Sequence, residues 1–307
     1  MRILLMVIGF LLAIMPNASA AVYQQGVVYV IYEQEGEAAV KDKADINSNG
    51  VPDTVEDIAT QVNAAREVFN TVFNFPDPLV SERFENVTSI EIDIDSREKM
   101  EHNGQAFSGV RKSSKHNPNE RAILIKVANT VNPRKNATPA HEYFHLIQYG
   151  ATYFRNGWFL EGMARWSQDS VSKINRYPHA IDIPWKLKNK ASAEKIYKSN
   201  YNAANHLWYP LAVNMNDKAT IPDELVNKYK YVDGSPVFED NIIYGPNVMR
   251  EVIRVMKSKE DLAASEFGGV EKWRKDGQRD DKNNEIILNC VREVYATKKI
   301  GEIYDRF

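Results

Sequence analysis

The sequence predicts an α+β fold, in which a small mixed sheet packs on a helix beginning near residue 138 and a mainly helical C-terminal portion follows. Three observations carry this expectation. The runs TSIEIDID at 88–95 and RAILIKVA at 121–128 are the two best strand candidates. Apolar side chains at Ile58, Val62, Ala65, Phe69 and Val72 recur with the period of an amphipathic helix. Beyond the middle of the chain, helical patterns near 158–169, 202–214, 247–258 and 284–300 are separated by short loops containing Pro and Gly.

Taken in order, the chain opens with Arg2, an unbroken apolar run from Ile3 to Met15, and then Pro16-Asn17-Ala18-Ser19-Ala20. This is the charged start, apolar core and small-x-small ending of a secretory signal peptide over residues 1–20, with Ala21 as the mature terminus. An uncleaved anchor is the competing reading, but the run is shorter than the roughly 17–25 residues of a membrane span. The expected location is secreted, extracellular or in the periplasmic or cell-surface space, with no membrane span after signal removal. Residues 22–32, VYQQGVVYVIY, read as a strand or short hairpin, and Pro76 and Pro78 close the helix that contains Phe69. The polar stretch with Gly104 and Gly109 reads as a loop between the two strands. Residues 21–215 hold the motifs, and 216–307 form a helical C-terminal region expected to belong to the same structural unit.

Composition narrows the partners. The chain has 307 residues, a formal charge of -2 and a pI near 6.3, with no basic run interleaved with aromatics, so nucleic acid is not expected. Cys290 is the only cysteine, which excludes an internal disulfide, and its apolar helical setting fits a buried thiol rather than a nucleophile. Oligomeric state leaves no trace in the sequence.

The segment AHEYFHLIQ at 140–148 concentrates chemistry. His141 and His145 are four residues apart, so on a helix they share one face and can reach one metal ion. Thr138 can cap that helix and Pro139 suits its first position. Glu142 lies where its carboxylate can approach an attacking water without being a ligand, the logic of H-E-x-x-H. Asn156-Gly157 makes a turn, and a second helix from Trp158 to Gln168 would return Glu161 as a third ligand, leaving a fourth position open. The competing reading is a helix whose histidines pack or bond internally.

HEYFHLIQY together with WFLEGMARW resembles the gluzincin metallopeptidases, whose third ligand is a glutamate in a W-x-x-E-G-x-A type segment. The nearer resemblance is to secreted bacterial and archaeal metallopeptidases that also carry an upstream N-G-x-P-D-x-x-E segment, and it covers roughly residues 25–215. It implies a zincin-like motif helix, Zn²⁺ held by His141, His145 and Glu161, Glu142 as general base, and a peptide or protein substrate. A tight two-helix turn accommodates the short spacing between His145 and Glu161. The resemblance also implies a Tyr or His donor for the transition state. The candidates are Tyr201, His206 and Tyr209, with His179 behind them, while Tyr209 and Trp208 read equally well as core aromatics. An edge strand binding extended substrate is implied too, and RAILIKVA is the natural candidate. With Glu161 assigned to the metal, nothing supports an aminopeptidase, and an endopeptidase is expected.

Upstream, Asp45, Asn47, Asn49, Gly50 and Glu56 match D-x-[DN]-x-[DN]-G-x5-E without a gap. With the Val51 carbonyl, Asp53 acting through water and Glu56 closing the shell, the loop offers the hard oxygens that suit a structural Ca²⁺. Pro52 and the lack of a preceding helix depart from an EF-hand pair, and a polar turn with Glu56 in the first turn of the next helix is the alternative. For the whole chain, the competing class is a non-catalytic extracellular zinc- and calcium-binding interaction protein that retains the fold. Glu142 argues against it, because binding alone has no need of that carboxylate.

Overall fold

The computed structural model describes residues 20–171 and 190–304, so residues 1–19 of the expected signal peptide and His179 lie outside the described residues. The strands are β1 (Ala21–Gln25), β2 (Val28–Tyr32), β3 (Val87–Asp95), β4 (Gly104–Arg111) and β5 (Arg121–Ala128), with a short pair β6 (Lys218–Thr220) and β7 (Ile242–Tyr244). The helices are α1 (Asp53–Arg66), α2 (Arg97–Met100), α3 (Thr138–Ala151), α4 (Gly157–Val171), α5 (Lys190–Tyr197) and α6 (Tyr209–Asn214). They continue with α7 (Asp223–Lys228), α8 (Pro246–Ser258), α9 (Glu260–Ala264), α10 (Lys275–Gln278) and α11 (Asn283–Tyr304). A small mixed sheet thus packs against helices, and a largely helical region follows.

The first five strands form one sheet in the order β1-β2-β3-β5-β4. Residues 22–32 make the antiparallel hairpin β1–β2, turned at Gly26, whose φ of 62° suits glycine. β2, β3 and β5 run parallel, and β4 returns antiparallel on β5. Alternation along the strands puts Val28 and Val30, Ile90, Ile92 and Ile94, and Ile123, Ile125 and Val127 on one buried face. Each such side chain contributes about 1.5–3 kcal/mol when fully buried. α1 and α3 belong to the same apolar core. The opposite face carries Glu91 and Asp93, which pair with Arg111 of β4 at 2.6 Å each. The segment after β4 folds over this face, where His116 stacks on Tyr29 at 3.6 Å.

Three expectations need correction. The stretch with Gly104 and Gly109 is not a loop but the strand β4, whose period is broken by an irregular register between Ala106 and Val110. RAILIKVA is consequently an interior strand, flanked by β3 and β4, and the edge beside α3 is β4. Thr138 does not cap α3. It is the first helical residue after Ala137, and Asn136 Oδ1 accepts both its N–H at 2.9 Å and its hydroxyl at 2.6 Å. Gln61 of α1 accepts from Ala140 N at 3.2 Å, so a neighbouring helix supplies part of the cap.

The helices of the second half close around α3 and α4. Phe69, Phe75, Phe144 and Trp166 form an aromatic cluster with ring centroids 5.2–6.3 Å apart. Asn284 of α11 accepts from Asn156 Nδ2 and Trp158 Nε1 at 2.8 Å each, and Gln278 O accepts from Arg155 N at 2.8 Å. These bonds fasten the turn between α3 and α4 to the C-terminal region. No helix among the described residues is long and apolar enough to cross a membrane.

Candidate metal centre

His141 and His145 project from one face of α3 toward Glu161 of α4. His141 Nε2 lies 3.4 Å from Glu161 Oε2, and His145 Nε2 lies 3.5 Å from Glu161 Oε1. All three ligand atoms fall within 4.8 Å of one another. Donors about 2.0–2.1 Å from a tetrahedral ion stand roughly 3.3–3.4 Å apart, so the two histidine–carboxylate distances are close to those of a shared ion, and the wider spread of up to 4.8 Å would close as the three groups draw in on it. Both histidines are buried, whereas the Glu161 side chain is 43% exposed and faces a cleft, which leaves an approach to the ion open.

Two glutamines set the histidine tautomers. Gln148 Oε1 meets His145 Nδ1 at 2.8 Å, and its amide donates to the carbonyls of Phe159 and Leu160 at 3.3 and 3.2 Å. Gln168 Oε1 meets His141 Nδ1 at 2.9 Å, while its amide donates to Tyr201 Oη at 2.9 Å and Asp169 Oδ1 at 3.2 Å. Because each amide nitrogen is engaged by oxygens, its own oxygen faces the imidazole, and each Nδ1 carries the proton. Both Nε2 lone pairs then point at a carboxylate, an arrangement of acceptors that calls for a cation. The electrostatics agree in direction. Burial favours the neutral form of Glu161, but the two imidazoles outweigh it and hold the carboxyl well below the usual range. Burial lowers the affinity of His145 for a proton, and Glu161 outweighs that too, raising it.

Glu142 stands apart from the ligand set. It is buried, its carboxyl is pushed up by burial and opposed by His141 and His145, and the Ala106 N–H of β4 hydrogen-bonds it. β4 passes so close that a Cβ on Gly104 would meet Thr138 Cγ2 at 2.5 Å and Glu142 Cγ at 2.7 Å. Only glycine admits that crossing. A cleft of about 450 Å³ runs beside this contact, lined on one wall by Gly104, Asn136 and Thr138, on the other by Gln168, Asp169 and Tyr201, and by His141, Glu142 and Glu161.

The donor candidates separate. Tyr201 lines the cleft with its ring 6.0 Å from that of His141, and the Arg165 guanidinium lies over the same ring, 4.4 Å from its centroid. Since Tyr201 Oη accepts from Gln168, its own proton is free to point elsewhere. Tyr209 is buried, donates to Asp169 and lies 3.2 Å from Arg165 O, outside the cleft lining. His206 Nδ1 is 2.9 Å from Ser199 Oγ, also outside it. Gly162 explains how Tyr201 comes near: a Cβ there would meet Trp208 Nε1 at 2.7 Å and Ala203 Cβ at 2.8 Å. Sequence reasoning overlooked Gln148 and Gln168, although one lies three residues past His145 and the other seven past Glu161, both helical spacings toward the site.

In the upstream loop, Asp45 accepts from Asn49 N at 3.0 Å and Gly50 N at 2.9 Å, and Asn49 Oδ1 accepts from Val51 N at 2.8 Å. Glu56 accepts the amides of Asn47 and Asn49 at 3.0 and 2.9 Å. Asp53 accepts from Ile46 N at 2.9 Å and pairs with Arg134 at 3.3 Å. Asp45, Asn47, Asn49 and Glu56 therefore converge, while Asp53 is drawn toward Arg134.

His141, His145 and Glu161 thus form a cluster that can hold a metal ion. Comparison with protein-family models, with curated proteins and with solved structures finds no match for this chain.

Proposed function

We propose that the protein is a secreted zinc-dependent peptidase that hydrolyses peptide bonds with Glu142 as general base. The observation that carries this reading is Glu142 itself, a buried carboxylate next to the cluster, bonded to β4 and not counted among its ligands. A two-histidine, one-carboxylate set suits iron(II) as well as zinc. A base poised beside the open side of the cluster favours hydrolysis, and with hydrolysis zinc.

When bound, the ion supplies Lewis acidity, lowering the pKa of water and polarising a carbonyl. The chain's own residues do the rest. Gln148 and Gln168 hold the imidazoles with Nε2 toward the ion. Glu142 takes the proton of the attacking water and delivers it to the leaving amine, aided by burial that raises its proton affinity. Tyr201, its oxygen held by Gln168, donates its free proton to the developing oxyanion. β4 is at the edge of the sheet and its Gly104 lines the cleft, so an extended substrate would pair with outward backbone groups of β4 other than the Ala106 N–H that Glu142 takes. Tyr209 instead supports one wall through Asp169, and His206 bonds Ser199 outside the lining.

The Asp45–Glu56 loop is read as a structural Ca²⁺ site, supported by the convergence of Asp45, Asn47, Asn49 and Glu56 and by Gly50 at φ 84°. Filling it requires the amides of Asn47 and Asn49 to turn their oxygens inward. Residues 216–307 are read as part of the same unit as 21–215, a reading supported by the Asn284 and Gln278 bonds to the α3–α4 turn.

The test is casein proteolysis by the zinc-loaded protein, with zinc measured by mass spectrometry in the same samples and in Glu142→Gln. One bound zinc, with cleavage lost in a variant that keeps its zinc, is the expected result. Bound zinc with no cleavage of any substrate would favour the non-catalytic binding protein. A folded, metal-repleted protein without zinc refutes the reading.

A further inference from the structure

One wall of the cleft is unlike the others. It is built from the segment entering α3 and the start of β4, and it presents Lys135, His102, Asn103 and Asn136. Among the described residues no large aliphatic side chain lines the cleft, so these walls offer little to an apolar substrate residue. The two adjacent cations in this segment have opposite fates. Arg134 is consumed by Asp57 at 2.6 Å, Asp233 at 3.2 Å and Asp53 at 3.3 Å. Lys135 is exposed, lines the cleft, and no carboxylate among the described residues pairs with its ammonium.

The backbone that carries Lys135 is held on both sides. Its N–H donates to Asn132 O at 3.0 Å, Arg134 N donates to Asn132 Oδ1 at 3.0 Å, and Asn136 is bound to Thr138. The three-aspartate clamp on Arg134 thus anchors the lysine stem at the mouth of the cleft. The N-terminus of α3 lies on the same wall and adds the positive end of its dipole. Across the cleft, the Asp169 carboxylate is already engaged by Tyr209 and Gln168.

We propose that this wall, with Lys135 at its centre, binds a carboxylate of the substrate. The inference rests on the peptidase reading and narrows it to acidic peptides. The carboxylate is either an Asp or Glu side chain near the scissile bond or the free C-terminus of a short substrate. The ammonium supplies the charge, and the amides of Asn103 and Asn136 supply neutral donors.

Four peptides of one sequence separate these sources: Asp or Asn at a position flanking the cleaved bond, each with a free or amidated C-terminus. Turnover is measured with the zinc-loaded protein and with Lys135→Glu and Lys135→Gln, whose folding is checked by thermal melting. Binding of the same peptides is measured by fluorescence anisotropy on zinc-loaded Glu142→Gln, with and without Lys135→Glu. One carboxylate is expected to raise kcat/KM and affinity about fivefold, as a partly exposed ion pair does. The preference should fall at high salt, vanish in Lys135→Gln and reverse in Lys135→Glu. If the Asp peptides are preferred, the side chain is the source, and if the unamidated ones are, the C-terminus is. Equal cleavage of all four peptides overturns the carboxylate wall while leaving the peptidase reading intact. Acid-selective binding that depends on Lys135, with no turnover of any peptide, supports the wall and overturns the peptidase reading.

Discussion

Replacing Gly104 by alanine separates the proposed base from the proposed metal site. The new Cβ would lie 2.5 Å from Thr138 Cγ2 and 2.7 Å from both Glu142 Cγ and Oε1. Carbon atoms in contact sit about 3.5–4.0 Å apart, so the shortfall is roughly 1 Å on two sides. Thr138 belongs to the first turn of α3, where it is held by Asn136 and nearby Ala140 by Gln61, so the yielding parts are β4 and the Glu142 side chain. Overpacking of this kind costs about 1–3 kcal/mol of stability. A displacement near 1 Å at a catalytic group lowers turnover by about 10²-fold. His141, His145, Glu161 and both glutamines are untouched, so zinc affinity should hold. The assay combines zinc content, thermal melting and kcat/KM on a quenched peptide. Gly109→Ala serves as the comparison, because nothing lies within 4 Å of a Cβ there. Wild-type turnover in folded, zinc-loaded Gly104→Ala would show that the β4 contact does not position the base, and loss of zinc would show that strand and metal site are not separable.

Other perturbations follow the same bonds. Gln148→Ala and Gln168→Ala each remove the oxygen that orients a histidine, and zinc affinity measured by chelator competition should fall about 10–100-fold. Tyr201→Phe should lower kcat about 10²-fold with bound zinc unchanged, and equal rates would remove Tyr201 from the reaction. Tyr209→Phe leaves the buried Asp169 short of a donor, so its effect belongs in the melting temperature, at about 1–3 kcal/mol. Burial pushes the Asp93 carboxyl up, yet bonds from Arg111 and Lys115 outweigh it and hold the pKa below the ordinary 3.8. Its contribution is therefore complete above about pH 4 and disappears as pH falls through the depressed folded value. The stability gap between wild type and Asp93→Asn should narrow in acid, and a gap that widens contradicts the pairing.

How far the sequence could be read depended on how local the signal was. The helix of His141 and His145, the helical hairpin that returns Glu161 and the strands at 88–95 and 121–128 follow from local spacings and turn residues, and all are present, the two strands pairing parallel. β4 was hidden because its edge position leaves only Ala106 fully buried, so apolar alternation is nearly absent, and its glycines imitate a loop. RAILIKVA, which directly precedes the motif helix, reads as an edge because the strand that covers it carries so little apolar signal. Gln148 and Gln168 had the right spacing, but a glutamine on a helix carries no chemistry until the structure brings an imidazole to its oxygen. Among Tyr201, His206 and Tyr209, the sequence offered no basis for choice. They sit within one short segment of 3₁₀, π and α turns, where a fixed helical period does not say which side chain faces Glu161.

The hairpin of α3 and α4 is more self-contained than its place between sheet and helices suggests. Gln148 is fully buried and does two things at once, orienting His145 and binding the carbonyls of Phe159 and Leu160 immediately before Glu161. The second and third ligands are therefore tied through one side chain. Gln168 closes the other end, linking His141 to the segment that holds Tyr201. The sheet contributes none of the three ligands; it contributes Ala106 and Gly104, which hold Glu142. On the peptidase reading, metal affinity thus belongs to the hairpin and the base to the contact between hairpin and β4. A protein built this way can lose hydrolysis by a change in β4 while keeping its metal. Gly104→Ala imposes that change at one residue, and retention of zinc with loss of turnover is the outcome this division requires.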